Sequence, residues 1–321
     1  LDASGEGQAK LHFEGKAERN EMNQETDIIC VGQAVVDCIT RGLEGGQIRP
    51  GSGKAESITL GIGGDAVNEA VALRRLGFST AVLAGIGDDP AGKLLLQMLR
   101  DEEVETGLIS VLPAPFATPV ANIFVSEDGS RSSVSSGAAR LEGYVPSQEL
   151  FSGAKIVTLA SLFRAPLDDP DSVLQLVIAA SMAGAKIFAD TKLPTFRETS
   201  LDEISGILSF VDCIFPNEKE AAYYTGETEH EAMADAFLAR GVSRVVIKLG
   251  ADGCYAKDEN EGFYLPALPL DAIDTTGAGD HFVAGFIGGV MDGMSFRECC
   301  ERGSMYAAQC VAHVGGSAWE E

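Results

Sequence analysis

The chain has 321 residues, of which 45% are hydrophobic, and 24 basic against 48 acidic side chains give a net charge of −24. A field of this sign repels nucleic acid and anionic lipid, so we expect neither as a partner. No apolar run reaches the ~18 residues of a membrane span, so no membrane association is expected either. An anionic ligand would need a local device such as backbone amides, a few cations or a metal ion.

The N-terminal segment and the cysteines bear on the compartment. The first 26 residues are polar and contain no apolar core of a signal peptide. We expect residues 1–26 to be a disordered tail or an addition from cloning, with Met22 as a candidate native start. The seven cysteines are odd in number and lack CxxC spacing. This favours buried, reduced thiols and a cytoplasmic protein.

From residue 27 onward, apolar runs alternate with segments of helical periodicity. The pattern predicts, in chain order, a strand at 27–39, a loop at 41–57, a helix at 63–77, a strand at 80–87, a helix at 90–102, a hairpin at 119–136, a strand at 155–160, a helix at 170–183, a strand at 186–190, a helix at 200–208, a strand at 211–215, helices at 217–225 and 229–240, a strand at 244–249, a hairpin at 253–268, and helices at 279–292 and 295–312. Alternating strands and helices imply a mainly parallel sheet with right-handed crossovers. The hairpin at 119–136 suggests a small sheet outside it.

Two glycine-rich stretches resemble nucleotide-binding motifs without matching them. "GSGK" at 51–54 fails the P-loop pattern, because Ile48 and Ala55 stand where Gly and Ser or Thr are required. "GIGGDA" at 61–66 fits the short dinucleotide fingerprint, but the segment "ESITL" before it is a poor strand. No acidic residue directly ends the next strand core to hold a ribose, which disfavours a dinucleotide site.

The stretch "DTTGAGD" at 274–280 indicates a site for an anion. Gly277, Ala278 and Gly279 precede a helix whose first turn contains Asp280. Bare amides at a helix N-terminus bind anions, and a carboxylate there could take the proton of an incoming hydroxyl. The alternative is that Asp280 only caps the helix, although a cap needs no pair of glycines.

Four motifs in family order resemble the ribokinase (PfkB-type) sugar kinases. They are "GIGGDAVNEAVALRRLG" at 61–77, "PNEKEAAYYTG" at 216–226, "VVIKLGADGCY" at 245–255 and "DTTGAGDHF" at 274–282. The resemblance extends over about residues 27–316. It implies an α/β fold with a doubly wound, mostly parallel sheet flanked by helices and a small β-sheet lid. Residues 27–321 would form a single kinase domain, with lid strands from about 40–60 and 110–136.

The same resemblance implies transfer of the γ-phosphoryl group of ATP to a sugar hydroxyl, with Mg²⁺ as a cofactor. The implied catalytic residues are Asp280 as base and Gly277, Ala278 and Gly279 as anion hole. The implied sugar-binding residues are Asp37, Gly63, Gly64 and Asn68. The implied nucleotide-binding residues are Asn217, Lys248, Gly250, Gly253 and Ser304, with Glu220 near Mg²⁺. Asp274 and Thr276 resemble a monovalent-cation loop, for which K⁺ is the candidate.

Structural alternatives remain open for several of these residues. Asp37 could cap a turn, and Asn217 and Glu220 have the spacing of a helix capping box. An ordinary turn explains Asp274 and Thr276 equally well. Lys192 in "ADTKLP" could reach a phosphate, but a single lysine after a strand is more often solvated.

Departures from the family pattern leave the sugar undefined. Asp65 follows the glycine pair, where ribokinases tend to carry Lys, and Ser304 stands where the family often has Asn beside the adenine. The chain also stops short of the last helix of many relatives, which we expect to weaken nucleotide binding or to mark a truncation.

The alternatives to a sugar kinase are a nucleoside kinase of the same fold and a non-catalytic sugar- or nucleotide-binding protein. The low aromatic content of 7% disfavours the first, and the intact Asp280 disfavours the second. A homodimer through the lid strands is expected, because exposed strand edges gain from pairing.

Overall fold

The computed structural model describes residues 26–43, 53–126, 131–137, 145–194, 198–270 and 275–312. The predicted tail, except for Thr26, lies outside the described residues. The strands are β1 (Ile28–Val31), β2 (Val35–Arg41), β3 (Ser57–Gly63), β4 (Thr80–Gly87), β5 (Ile109–Leu112), β6 (Val120–Val125), β7 (Arg131–Ser135), β8 (Ile156–Leu162), β9 (Lys186–Thr191), β10 (Cys213–Phe215), β11 (Arg244–Lys248), β12 (Cys254–Asp258) and β13 (Gly262–Leu265). The helices are α1 (Asp65–Arg75), α2 (Pro90–Asp101), α3 (Pro170–Met182), α4 (Ser205–Leu208), α5 (Glu218–Thr225), α6 (His230–Leu238), α7 (Ala278–Met291) and α8 (Phe296–Val311).

The main sheet has nine strands in the order β13-β12-β11-β10-β9-β8-β1-β4-β5. Its pairs from β11 to β5 are parallel, and β12 and β13 pair antiparallel at one edge. Every residue of β1, β4 and β8 is buried, as expected of strands covered by helices on both faces. The predicted doubly wound, mostly parallel sheet is confirmed.

A separate four-stranded sheet has the order β3-β2-β6-β7. Strand β2 pairs antiparallel with β3 and parallel with β6, which pairs antiparallel with β7. We call it the lid sheet. The turn between β6 and β7, where the hairpin signal was found, lies outside the described residues. The predicted small β-sheet is confirmed.

Four sequence predictions differ from the structure. The single strand predicted at 27–39 is two strands, because the chain leaves the main sheet after Val31 and enters the lid sheet at Val35. A continuous apolar run carries no mark of a change of sheet. The poor strand "ESITL" is part of β3, which partner strand β2 supports.

The third and fourth differences concern β5 and α4. Strand β5 falls within the predicted lid range 110–136 but pairs with β4 at the edge of the main sheet. The helix predicted at 200–208 is reduced to α4, which has four residues. Local composition does not decide which sheet a short strand joins or how far a short helix extends.

The core lies on the two faces of the main sheet. On one face, the rings of Phe215 and Phe286 pack edge to face, with centroids 5.0 Å apart. All seven cysteines are free thiols, and all except Cys38 are buried, as the sequence predicts. In the part of the chain that is described, no helix has both the length and the apolar character to cross a bilayer.

Candidate active site

Several buried polar side chains lie close together at the carboxyl ends of the parallel strands. Strands β8, β9 and β11 end at Leu162, Thr191 and Lys248, and the parallel pairing puts these ends at one edge of the sheet. The chain passes from β1 to β4 and β5 on one side of β1 and then returns to β8 on its other side, so the order of the strands reverses at β1. Ligands of open α/β sheets bind at such a switch point.

Helix α7 begins at this edge without a side-chain cap. Its N-cap residue is Gly277, with φ of 71°, in the left-handed region that glycine favours. The backbone N–H and the ring Nδ1 of His281 both lie within hydrogen-bond distance of the Gly277 carbonyl, at 2.8 and 2.9 Å. A carbonyl only accepts, and burial lowers the pKa of His281, so the neutral ring donates from Nδ1. The start of α7 is therefore fixed, and no side chain caps its first-turn amides, of which the Ala278 N–H donates to the Thr275 carbonyl at 3.4 Å.

Asp280 lies in the first turn of α7 and is 3% exposed. Its Oδ2 accepts a hydrogen bond of 2.7 Å from Nδ2 of Asn68 on α1. Burial, followed by the negative charge of Asp65, raises the pKa of Asp280 to about 7, against the opposing effects of Lys192 and Asn68. A pKa near neutrality suits a general base.

The glycine pair before α1 allows two close approaches. A Cβ on Gly63 would lie 2.4 Å from the Asp37 carboxylate, and one on Gly64 would lie 2.4 Å from the Gln33 carbonyl oxygen. Gly64 also has φ of 93°. Only glycine fits at position 64, whereas a side chain at position 63 would have to displace the Asp37 carboxylate. The pair therefore sets the Asp37 carboxylate against the start of the helix that carries Asn68.

Asp65 and Lys192 form an ion pair beside the base. The Nζ atom of Lys192 lies 3.0 Å from Oδ2 of Asp65, and the Ser161 hydroxyl donates to the same carboxylate. Although burial opposes ionisation, Lys192 and Ser161 lower the pKa of Asp65. Although burial also opposes a charged lysine, Asp65, Asp190 and Asp280 raise the pKa of Lys192. Lys192 is thus part of a charged cluster, with 31% of its side chain still exposed.

Lys248 lies next to the start of α7. Its Nζ is 2.5 Å from Oδ1 of Asp190, which is fully buried at the end of β9. A Cβ on Gly279 would lie 3.3 Å from this Nζ and 3.9 Å from Oδ2 of Asp190. A cation therefore stands beside the amides that were predicted to bind an anion.

Asn217 and Glu220 form the capping box that the sequence allowed. Each backbone N–H is bonded to the other side chain at 2.9 Å. The Asn217 amide and the Thr191 hydroxyl also donate to Glu220. Burial, and then the charge of Asp190, raise the pKa of Glu220, while Lys248 opposes this effect. Oε2 of Glu220 accepts two of these hydrogen bonds and Oε1 accepts one, so one acceptor site on Oε1 remains for Mg²⁺ or for a water bound to it.

The remaining predicted residues are more dispersed. Gly250 begins a single 3₁₀ turn between β11 and β12, Gly253 follows this turn, and Ser304 is half-buried on α8. Asp274 lies outside the described residues. The Thr276 carbonyl accepts a hydrogen bond of 3.1 Å from the Cys310 thiol.

Sequence reasoning missed four side chains of the site. They are Glu69, Ser161, Asp190 and Thr191. Two of these, Asp190 and Thr191, could have been found, because polar residues that end a buried parallel strand lie at the ligand-binding edge. Glu69 gives no such signal, since an acidic residue in a helix is normally solvent-exposed.

Comparisons with known proteins cover nearly the whole sequence. The family model described as pfkB family carbohydrate kinase matches residues 25–321. The chain is 30% identical over 267 residues to a ribokinase of Haemophilus influenzae, covering 81% of this chain and 84% of that protein. It is 28% identical over 274 residues to a 2-dehydro-3-deoxygluconokinase of Bacillus subtilis, covering 82% and 84%.

The fold is similar to that of an Arabidopsis thaliana ribokinase solved with ribose and ATP. The TM-score is 0.75 at 25% identity, over 91% of this chain and 94% of that one. An adenosine kinase from Sinorhizobium meliloti has a TM-score of 0.72 at 23% identity, over 92% and 96%, which shows the fold alone. With the family model matched over nearly all of the sequence, the chain belongs to the pfkB family of carbohydrate kinases.

Proposed function

We propose that the protein transfers the γ-phosphoryl group of ATP to a hydroxyl of a monosaccharide, with Asp280 as the base. The observation that carries this proposal is the position of Asp280. It is buried in the first turn of α7, directly after the uncapped Gly277–Gly279 amides, and Asn68 holds one of its oxygens. A carboxylate of raised pKa beside an anion site is what this reaction requires.

In the proposed reaction, Asp280 takes the proton of the sugar hydroxyl while the hydroxyl oxygen attacks the γ-phosphorus. The bond from the γ-phosphorus to the bridging oxygen breaks, and ADP leaves with the electron pair. The amides of Gly277, Ala278 and Gly279 donate to the phosphoryl oxygens, and Lys248 lies close enough to Gly279 to add positive charge. Stabilisation of this kind is aimed at the charge that develops on the transferred group.

Sugar recognition is assigned to the Asp37 end of the site. Carboxylates have acceptor oxygens that suit sugar hydroxyls, and an amide such as Asn68 can both donate and accept. The Asn68 Oδ1 atom is buried and has no hydrogen-bond partner among the described residues. It is therefore a candidate acceptor for a second sugar hydroxyl, because the attacking hydroxyl has one proton and gives it to Asp280.

Magnesium is proposed to arrive with the nucleotide. Mg²⁺ keeps several waters and is commonly held by substrate phosphates together with one or two carboxylates. It would neutralise negative charge on the phosphates. Because Asn217 and Thr191 take three of the four acceptor sites of Glu220, Glu220 is proposed to act on the cation through its remaining site, directly or through bound water. The K⁺ requirement, the roles of Gly250, Gly253 and Ser304, and the lid-mediated homodimer stay predictions.

A coupled ADP-release assay with Mg-ATP tests the function. The panel should contain pentoses, ketohexoses, sugar acids and nucleosides, with Asp280→Asn as the control variant. We expect one sugar to be phosphorylated, and the variant to lose a factor of about 10²–10⁴ in kcat. Parent-level activity in Asp280→Asn would remove the base assignment.

Two other outcomes would change the proposed activity. Phosphorylation of a nucleoside in preference to every sugar would favour a nucleoside kinase. Binding of ATP, measured by calorimetry, without turnover on any member of the panel would favour a non-catalytic binding protein.

A further inference from the structure

Glu69 is a buried acid that the proposed reaction does not use. It lies on α1 directly after Asn68 and has no exposed surface. Its Oε2 accepts a hydrogen bond of 2.5 Å from the Thr158 hydroxyl on β8. Its Oε1 is buried and has no hydrogen-bond partner among the described residues. A buried carboxylate with one neutral donor and no cation is costly to ionise.

The surroundings of Glu69 add to that cost. One oxygen each of Glu69, Asp190 and Asp280 lie within 4.8 Å of one another, and all three side chains are buried. Asp65 on the same helix adds a fourth negative charge nearby. The Cys30 thiol on β1 also faces Glu69, and burial raises its pKa, so it stays neutral.

The two lysines of the site are already paired. Lys192 contacts Asp65 and Lys248 contacts Asp190, which leaves Glu69 and Asp280 to share a pocket without a cation of their own. Where carboxyl groups share a site, at least one holds a proton. Burial, with the charges of Asp280 and Asp190 adding to it and only Thr158 opposing, raises the pKa of Glu69 well above its ordinary value.

A second unpartnered oxygen indicates where that proton goes. Oδ2 of Asp190 is also buried and also has no partner among the described residues. Because the carboxyl groups of Glu69 and Asp190 meet within 4.8 Å, a small rotation of either side chain would let a proton on Oε1 of Glu69 be donated to Asp190, and one hydrogen bond would then satisfy two unpartnered oxygens. Asp280 would then be the carboxyl group of the cluster that titrates.

We propose that Glu69 is a positioning residue that carries the proton of the Glu69–Asp190–Asp280 cluster, donates it to Asp190 and so leaves Asp280 ionised as the base. This inference rests on the proposed role of Asp280. In the proposed reaction Glu69 contacts neither the phosphate nor the sugar, and it acts through Asp190 and Asp280. A divalent cation among the three carboxylates is the competing interpretation, and it would block Asp280 as a base.

Two substitutions separate a hydrogen-bond donor from a charge. Glu69→Gln keeps the size and a neutral donor, whereas Glu69→Leu keeps a similar volume but removes the donor. We expect the acid limb of the kcat/KM pH profile to move up by about one unit in Glu69→Leu, which lowers kcat/KM at pH 7 about fivefold. Glu69→Gln should recover most of this loss and keep the acid limb of the parent. Glu227→Gln, at an exposed position on the loop after α5, is the control for removal of one surface charge.

Two kinetic outcomes would overturn the proposal. An acid limb that moves down in Glu69→Gln would mean that Glu69 is ionised in the parent, because removal of its charge then favours ionised Asp280. An acid limb unchanged in a folded Glu69→Leu variant would mean that the role of Glu69 is only structural.

Infrared spectroscopy tests the proton without using activity. The difference spectrum between the parent and Glu69→Gln at pH 8 should contain the carbonyl stretch of a protonated carboxyl group, and its absence would overturn the proposal. Mn²⁺ binding to the nucleotide-free parent, measured by electron paramagnetic resonance and lost in Glu69→Gln, would also overturn it in favour of a cation. If Asp280→Asn kept its activity while the infrared band was present, the base assignment would fail and the proton on Glu69 would stand.

Discussion

The starts of helices α1 and α7 differ from those of α2 and α3. Helices α2 and α3 begin with Asp89 and Asp169, each followed by proline, and each aspartate accepts a hydrogen bond from a first-turn amide. Helices α1 and α7 begin at Gly64 and Gly277, with no side-chain cap. Each capped start gives a first-turn amide a side-chain acceptor, whereas the glycine starts give theirs none, and within the described part of the chain only Val67 and Ala278 are seen to donate to nearby backbone carbonyls, of Gly64 and Thr275. Helix α6 also starts without a side-chain cap, at Glu229, so only the glycine starts at the edge of the sheet where the buried acids meet, and not missing caps in general, are proposed as ligand sites.

Replacement of the glycine at the start of α7 should have the largest effect. Gly277→Ala forces an L side chain into φ of 71° and moves the amides that are proposed to bind the phosphoryl group. We expect kcat/KM for ATP to fall about 10²-fold, as for loss of an oxyanion donor.

The matched control removes a side-chain cap that bonds to the Ser172 amide and to no residue of the site. Asp169→Ala at α3 should lower the free energy of unfolding by ~1 kcal/mol and leave kcat/KM within about twofold. Equal kinetic losses in the two variants would erase the distinction between the two kinds of helix start.

The buried charge at α7 should make stability depend on pH. The folded-state pKa of Asp280, about 7, is above its ordinary 3.8, so between these values the folded protein binds the proton more readily than the unfolded chain. The stability that the folded protein gains from binding this proton is therefore lost as the pH rises toward 7. Asp280→Asn stays neutral, so we expect its Tm at pH 8 to exceed that of the parent by at least ~2 °C.

The gain should disappear near pH 4, where Asp280 of the parent is protonated in the folded protein. Differential scanning calorimetry of both proteins at the two pH values measures this. A Tm difference that is independent of pH would point to packing and not to the buried charge.

The two capping boxes offer the smallest and most specific comparison. The box of α5, Asn217 with Glu220, lies beside Thr191 in the site, whereas the box of α8, Ser295 with Glu298, is solvent-exposed. Asn217→Ala and Ser295→Ala should each lower the free energy of unfolding by ~1 kcal/mol, measured by denaturant titration. Only Asn217→Ala should also raise KM for ATP, by a few-fold. If both variants had the parent KM, the α5 box would be structural alone.

Sequence reasoning reached those parts of the site that have a local signature. The sequence predicted the glycines at the starts of α1 and α7 and the position of Asp280 after the second of them. A glycine pair before a helix can be recognised from a few neighbouring residues. The capping spacing of Asn217 and Glu220 is local in the same sense.

The rest of the site depends on contacts between distant parts of the chain. Glu69 and Thr158 are 89 positions apart, and Lys248 and Asp190 are 58 apart. No local pattern encodes such pairs. The same limit explains why the run at 27–39 was predicted as one strand, since only pairing partners show that β1 and β2 belong to different sheets.

The double hydrogen bond from His281 to the Gly277 carbonyl has a consequence for binding entropy. Because both donors lie within one helical turn of Gly277, the start of α7 becomes ordered when the helix forms, before any nucleotide is present. The conformational entropy of residues 277–281 is therefore lost during folding and does not reduce the affinity for the nucleotide.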